Sequence, residues 1–148
     1  MNEMSETTHE HLTTRNQLHG TVENVLLGSI MAEVVVDVND EKLVAAITRH
    51  SAERLGLKGG DAVTVLVKAT EVMLAKGESQ LDRLTTRNQI AGTVTSVETG
   101  TVMAEVRIDI TGAELVAAIT RRSVERLELT EGDAVVVLIK ATEVMLAK

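Results

Sequence analysis

The sequence predicts a mainly β protein made of two tandem five-stranded barrels, each with one short helix. The first observation behind this prediction is an internal repeat. Residues 13–76 align without a gap to residues 85–148 at a constant offset of 72, and 42 of 64 positions are identical. The second observation is a series of short β-branched runs separated by turn residues, and the third is an apolar fraction of 44% that includes no Phe, Trp or Tyr. Two aliphatic modules of one kind therefore stand in tandem.

Alternating polarity and β-branched content predict the strands of each module. In the first copy the predicted strands are residues 20–25, 30–38, 42–49, 62–68 and 71–75. Gly28, Asn39-Asp40 (Thr111-Gly112 in the second copy) and Gly59-Gly60-Asp61 are turn signals between them. Five short strands in a module of about 64 residues are typical of a small, strongly bent barrel of the oligonucleotide-binding type.

One short helix is predicted between the third and fourth strands, from Ser51 to Leu55. Ser51 is the predicted N-cap, and Glu53 lies in the first turn, where a negative charge is favourable. Gly56 is a candidate C-cap, but Glu128 occupies the equivalent position of the second copy. The sequence therefore predicts that no glycine-dependent left-handed cap is required.

The segments outside the two copies are short and acidic. Residues 1–12 are predicted to be a flexible acidic tail of charge −3, and residues 77–84 a polar linker of charge −1. The two modules, 13–76 and 85–148, carry only −1 and −2 of the net charge of −7. Modules this close to neutral can hold a locally positive site for a small anion, whereas a basic stripe for DNA is not indicated.

The composition excludes several classes of function. The chain has no Cys, which excludes disulfides, thiolate metal sites and cysteine nucleophiles, and it has no aromatic residue on which a nucleic-acid base could stack. No apolar run approaches the roughly 18 to 20 residues of a membrane span, and the first residues lack the pattern of a signal peptide. We therefore expect a soluble, cytoplasmic protein that binds neither nucleic acid nor membranes.

One set of candidate binding residues recurs in both copies without a carboxylate among its members. The set supplies hydroxyls, a guanidinium, an ammonium and backbone N–H groups, which together suit a small oxyanion. Spacing alone leaves two interpretations open: the residues converge on one site, or Ser51 is only a helix cap and Lys68 only an exposed strand residue. The candidate oxyanion-binding residues are Thr13, Thr14, Arg15, Asn16, Thr48, Ser51, Lys68, Ala69 and Thr70, with Thr85, Thr86, Arg87, Asn88, Thr120, Ser123, Lys140, Ala141 and Thr142 in the second copy.

At these residues the sequence resembles a known family. Thr-Thr-Arg-Asn-Gln (13–17, 85–89), followed by Gly-Thr-Val, is similar to the Ser-Ala-Arg-Asn-Gln opening of the molybdate-binding Mop domains, the molbindins. The similarity continues through Met-Ala-Glu-Val, Ala-Ile-Thr-x-x-Ser and Lys-Ala-Thr-Glu-Val-Met, and the tandem arrangement looks like a di-Mop protein. Thr replaces the usual Ser at 13 and 85 and the usual Ala at 14 and 86. The second change adds bulk where a backbone N–H is expected to contact the anion.

The resemblance implies a cytoplasmic protein that binds molybdate, and tungstate as well, for molybdenum storage and homeostasis, with no catalytic cofactor. It also implies a homotrimer with oxyanion sites at the interfaces between modules. Residues 13–16 would form one wall of a site, and Thr48, Ser51 and residues 68–70 of a neighbouring module the other, with equivalent walls in the second copy. Such a site holds the anion by hydrogen bonds and charge, so no direct ligands to a metal cation are expected.

Other functions are less well supported by the sequence. An enzyme is not indicated, because no nucleophile–base pair or acidic dyad stands in a recognisable motif, and His19 and His50 are replaced by Ala91 and Arg122 in the second copy. His9-Glu10-His11 is interpreted as part of a solvated tail rather than a metal site. Mop modules also occur fused to DNA-binding domains or transporter ATPases, so a molybdate-sensing or protein-interaction module that acts through a partner is the alternative.

Overall fold

A computed structural model describes residues 11–148, so residues 1–10 of the predicted acidic tail lie outside the described part of the chain. The first copy contributes β1 (Asn16–Leu27), β2 (Met31–Val38), β3 (Glu41–Thr48), α1 (Arg49–Arg54), β4 (Ala62–Val67) and β5 (Met73–Lys76). The second copy contributes β6 (Asn88–Thr99), β7 (Met103–Ile110), β8 (Ala113–Thr120), α2 (Arg121–Leu127), β9 (Ala134–Ile139) and β10 (Met145–Ala147). A 3-10 turn precedes the last strand of each copy, at Ala69–Glu71 and Ala141–Glu143.

The chain forms two compact units, and each unit uses segments of both copies. The first unit runs to Val67 and takes in Ala141–Lys148, whereas the second spans Lys68–Lys140. The strand order is β10-β4-β1-β2-β3 in the first unit and β5-β9-β6-β7-β8 in the second, with antiparallel neighbours throughout. One edge strand of each sheet, β10 or β5, therefore comes from a different copy of the repeat than the other four strands.

The predicted fold class is confirmed: the described chain is mainly β, with two five-stranded sheets and one α-helix in each copy. Each sheet curls, so that β3 approaches β10 in the first unit and β8 approaches β5 in the second. A bulge between Val22 and Asn24, and another between Val94 and Ser96, bends the long strands β1 and β6. Alternate residues of β2, such as Val34 and Val36, are fully buried in an aliphatic core.

The starts of two strands differ from the predictions by two or more residues. β1 begins at Asn16 rather than residue 20, because Asn16 and Leu18 extend its buried face and Asn16 pairs with Val67 of β4. The predicted last strand, 71–75, begins too early, since Glu71 closes a 3-10 turn in which its N–H donates to the carbonyl of Lys68. The predictions were therefore wrong at the positions where tertiary pairing or a local turn determines the boundary.

The helix predictions at Ser51 and Glu53 were also wrong. α1 begins at Arg49, so Thr48 is the N-cap, with extended backbone angles and a side chain that accepts a hydrogen bond from the N–H of Ser51. Glu53 consequently lies beyond the first turn. The chain also becomes left-handed after both helices, with φ of 59° at Gly56 and 51° at Glu128. A left-handed residue is therefore required in each copy, and the second copy tolerates the steric strain of a non-glycine residue there.

Each sheet takes one strand, β10 or β5, from the other copy of the repeat, and a lysine at the end of this exchanged segment holds it in place. In the first unit the Nζ of Lys148 donates to the carbonyls of Leu55 at 3.1 Å and Gly56 at 3.2 Å, and lies 3.1 Å from the carboxylate of Asp61. The Asp61 side chain is only 10% exposed. In the second unit, the equivalent residues are Lys76, Leu127, Glu128 and Asp133.

We expect the free energy of unfolding to fall as the pH drops below the ordinary carboxyl range. The backbone N–H of Lys58, followed by the ammonium groups of Lys148 and Lys58, lowers the pKa of Asp61 from 3.8 to about 2. A carboxyl with a lowered pKa in the folded state contributes its full stability above the unfolded pKa and loses it as the pH falls through the folded pKa. The replacement Asp61→Asn should therefore reduce the loss of stability between about pH 4 and pH 2.

Urea unfolding followed by far-UV circular dichroism across that pH range measures this effect. Asp82→Asn, which removes an exposed carboxylate from the predicted linker, is the control and should keep the acid dependence of the wild-type chain. An equal acid-induced loss of stability in Asp61→Asn and wild type would contradict the assignment.

Candidate functional site

A cleft of about 360 Å³ in the first unit brings three of the predicted hydroxyl residues together. Thr48 and Ser51 lie where β3 enters α1, and Thr142 lies in the 3-10 turn that packs against β3. The rest of the lining is apolar apart from Arg54. No carboxylate lines this cleft, so its polar groups are hydroxyls and one guanidinium.

An equivalent cleft of about 360 Å³ lies in the second unit. Its hydroxyl groups belong to Thr120, Ser123 and Thr70, and its guanidinium to Arg126, again without a carboxylate in the lining. The structure thus groups Thr70 with Thr120 and Ser123, whereas the sequence placed Thr70 on one wall with Thr48 and Ser51. The reason for this difference is the exchange of the last segment between the copies.

Hydrogen bonds within each cleft fix the direction of its hydroxyl groups. The Oγ1 of Thr48 accepts from the N–H of Ser51 at 3.1 Å, and its own hydroxyl donates to the Oγ of Ser51 at 2.9 Å. Thr120 and Ser123 repeat both bonds at 3.1 and 2.9 Å. In each cleft the serine hydroxyl proton is therefore available for a ligand, while the backbone N–H of that serine is already used.

The candidate residues 13–16 and 85–88, which open the two modules, lie at or just before the start of β1 and β6. Thr85 and Arg87 are exposed, Thr86 is half-buried, and Asn88 is 3% exposed and pairs with Ile139 of β9. Residues 13–16 follow the same pattern of exposure, with Asn16 2% exposed. The side-chain amide of Gln89 donates to the carbonyl of Thr86 at 3.2 Å, and Gln17 donates to Thr14 at the same distance. These glutamines were not among the predicted site residues, and they hold the segments 13–16 and 85–88 in place.

The structure brings Arg87 and Lys140 to one end of a strand pair. Arg87 precedes Asn88 and Lys140 follows Ile139, and these two inner residues pair across β6 and β9. Both basic side chains are exposed, and neither lines the cleft of Thr120 and Ser123. Lys68 is likewise exposed, while Ala69 and Ala141 are half-buried in their 3-10 turns. Within one chain, the predicted residues thus form separate hydroxyl and basic groups.

Arg54 and Arg126 are binding candidates that the sequence analysis missed. Each lies in the last turn of its short helix. Each also lines the 360 Å³ cleft of its unit that contains the threonine and serine hydroxyls, called here the hydroxyl cleft. A signal was present, because Glu-Arg-Leu at 53–55 and 125–127 is unchanged between the copies. An arginine beside hydroxyl donors adds the positive charge that an oxyanion requires.

A larger cavity of about 670 Å³ lies elsewhere in the first unit and suits an anion poorly. Its lining includes Glu23, Asp37 and Asp40, and its one lysine, Lys42, already pairs with Asp37 at 2.8 Å and with Glu23. These bonds raise the pKa of Lys42 well above its usual range, with the hydrogen bond that Lys42 donates to Asp37 as the largest cause. Because the carboxylates outnumber the lysine, we do not assign the oxyanion site to this cavity.

Residues 11–148 contain no cluster of three or more His, Cys, Asp or Glu side chains able to hold a metal ion. None of the helices in this part of the chain is both long and apolar enough to cross a membrane. His9 and Glu10 of the predicted tail lie outside the described residues.

Known proteins match the chain along both copies. Residues 12–74 and 84–146 each match the TOBE domain model. The chain is 37% identical over 137 residues to the molybdenum-pterin-binding protein MopA of Rhodobacter capsulatus. This alignment covers 91% of this chain and 51% of MopA. It is 33% identical over 138 residues to the transcriptional regulator ModE of Yersinia pestis, covering 91% of this chain and 52% of ModE. The chain thus spans about half the length of these curated relatives.

A solved structure matches nearly the whole chain. The cytoplasmic molybdate-binding protein ModG, in a crystal form with molybdate bound, superposes with a TM-score of 0.87 and 37% sequence identity. The match covers 93% of this chain and 98% of ModG. These findings confirm the resemblance to the molbindins: the chain belongs to the TOBE-domain family, with two Mop-type domains in tandem.

Proposed function

We propose that this protein binds molybdate reversibly and without chemical conversion, accepts tungstate in the same sites, and stores molybdenum in the cytoplasm. The observation that carries the proposal is the polar lining of the two hydroxyl clefts, which consists of hydroxyls and a guanidinium with no carboxylate. The similarity to molybdate-bound ModG over 98% of that protein supports the choice of anion.

The chemistry of the clefts suits a tetrahedral dianion. Molybdate and tungstate present four oxygens that only accept hydrogen bonds, and the serine hydroxyl and arginine of each cleft are donors. Sulfate presents the same acceptors on a smaller ion, so cavity size must separate it from molybdate. Protonated phosphate brings an O–H that needs an acceptor, and a cleft without a carboxylate offers it a poorer match.

Each anion site is completed by another copy of the chain, in a homotrimer. The exposed positions of Arg87 and Lys140, outside the cleft of Thr120 and Ser123, are what an arrangement in which basic and hydroxyl groups meet across such an interface requires. Large apolar side chains are also exposed, among them Ile30 at 76%, Leu26 at 64% and Val102 at 70%. Apolar surface of this kind is typical of protein interfaces.

Native mass spectrometry of the protein during a titration with molybdate tests the proposal. The expected result is a trimer that takes up several molybdate or tungstate ions, with little uptake of sulfate and less of phosphate. Protein concentration has to be determined by amino-acid analysis, because the chain has no Trp or Tyr. A trimer that binds sulfate as well as molybdate, or a chain indifferent to molybdate in any assembly, would overturn the proposal.

Molybdate sensing through a partner is the second candidate function. It is favoured by the match to about half of the transcriptional regulator ModE of Yersinia pestis. Storage predicts high capacity with no molybdate-dependent partner, whereas sensing predicts a protein captured from the cytoplasm only when molybdate is present. Affinity capture with and without molybdate, alongside the mass-spectrometric stoichiometry, separates the two functions.

A further inference from the structure

The second copy carries two arginines without a carboxylate partner on one face of its helix. Arg122 and Arg126 lie four residues apart on α2, so their side chains are neighbours on the helix surface, and both are exposed. Neither forms an ion pair with any residue between 11 and 148. Arg121, by contrast, is neutralised by Glu125 at 3.3 Å.

The first copy differs on this face by one side chain. Its helix repeats the neutralised arginine as Arg49, which pairs with Glu53 at 3.2 Å, and the cleft arginine as Arg54. The position of Arg122 is occupied by His50, also exposed. Because histidine is a weaker cation than arginine at neutral pH, the second copy presents more positive charge here than the first.

The extra charge lies beside the hydroxyl cleft. Arg126 lines that cleft together with Thr120 and Ser123. Arg122 lines a second cleft, of about 470 Å³, which Thr120 also borders. The one carboxylate in that second cleft, Glu125, is the partner of Arg121. Each of the two clefts that Thr120 borders therefore contains a guanidinium without a carboxylate partner, Arg126 in the hydroxyl cleft and Arg122 in the second cleft.

Such a pair of like charges at helical spacing is unfavourable in the free protein. A bound dianion would relieve this repulsion and gain attraction from both guanidinium groups. The first copy, with His50, has less repulsion to relieve and less attraction to gain. The two copies are therefore not equivalent toward an anion, although Thr48 and Ser51 match Thr120 and Ser123 in sequence and hydrogen bonding.

We infer that Arg122 determines affinity: the sites built on Thr120 and Ser123 bind a tetrahedral dianion more tightly than those built on Thr48 and Ser51. The protein then fills in two steps, with the second-copy sites first. This inference rests on the proposed function, since it assigns an order to the same anion sites. The expected difference between the two classes of site is roughly tenfold in affinity, about what one additional unit charge near the anion provides.

A reciprocal exchange of the two side chains tests the inference by isothermal titration calorimetry with molybdate at neutral pH. The wild-type chain should show two classes of site. Arg122→His should convert the tight class into the weak one, and His50→Arg should convert the weak class into the tight one. The double variant with both replacements should restore two classes. A gain of affinity in His50→Arg cannot arise from damage to the fold.

Two outcomes overturn the inference, and they are distinguishable. If all four proteins bind molybdate with the same affinities and number of classes, Arg122 has no such role and the proposed function stands. If none of the four binds molybdate, both the proposed function and the inference fail. Repeating the titrations at high salt gives a further readout, because the difference between the classes should shrink when added ions screen the additional charge.

Discussion

Replacing Lys140 with alanine should weaken molybdate binding by about 10- to 100-fold at the sites to which Lys140 contributes, the usual range for losing one hydrogen bond to a charged group. Lys140 is exposed and follows Ile139, which is fully buried at the end of β9. Its ammonium makes no ion pair with the described residues, so its removal leaves no carboxylate unmatched. The fold should therefore survive, with an unchanged unfolding transition by circular dichroism.

A control variant separates a site contact from a general change of charge. Lys58→Thr removes the same charge from an exposed side chain, at a position where the second copy already has Thr130. It should keep the affinity of the wild-type chain in calorimetry. An equal loss of affinity in Lys140→Ala and Lys58→Thr would show that only net charge matters, and wild-type affinity in Lys140→Ala would remove Lys140 from the site.

The hydroxyl part of the candidate site could be predicted from the sequence, whereas its arrangement could not. Thr48 and Ser51 stand in a block that is nearly unchanged between the copies, and the structure places both in one cleft. Arg126 was not among the predicted residues because its position in the cleft depends on where α2 begins. The N-cap was predicted three residues late, at Ser51 and its equivalent Ser123 rather than Thr48 and Thr120, since serine and threonine are both favoured N-caps.

The exchange of the last strands could not be predicted for a clear physical reason. Residues 69–76 and 141–148 have the same sequence, so either segment can pair with β4 or with β9. The observed registers are also equivalent, with Met145 opposite Leu66 and Met73 opposite Leu138. Local propensity and pairing energy are therefore almost the same for both arrangements. The path of the chain between the copies decides which one forms, and periodicity carries no information about that path.

The glycine inside each bent strand, Gly20 in β1 and Gly92 in β6, should be the most sensitive position of the fold. A Cβ on Gly92 would lie 2.6 Å from the Cγ2 of Ile108 and 3.0 Å from both the carbonyl of Asp109 and the Cγ2 of Ile110. Gly20 has the same surroundings in the first unit, with the carbonyl of Asp37 at 2.7 Å. Ile108 and Ile110 are 0% and 1% exposed, so they have no free space into which to move.

Gly92→Ala should therefore lower the free energy of unfolding by about 1–3 kcal/mol, the usual cost of overpacking a core. Gly59→Ala is the matched control, because a Cβ there would meet its nearest atom, the carbonyl of Glu23, at 3.4 Å, and the second copy has Glu131 at that position. This control should be neutral, or more stable by about 0.4–1 kcal/mol through the lower entropy of its unfolded chain. Guanidinium unfolding followed by circular dichroism distinguishes the two signs. Equal stability of both variants would mean that β6 and β7 can separate without disturbing the core, and the close approach of these strands would then not explain why glycine stands in both copies.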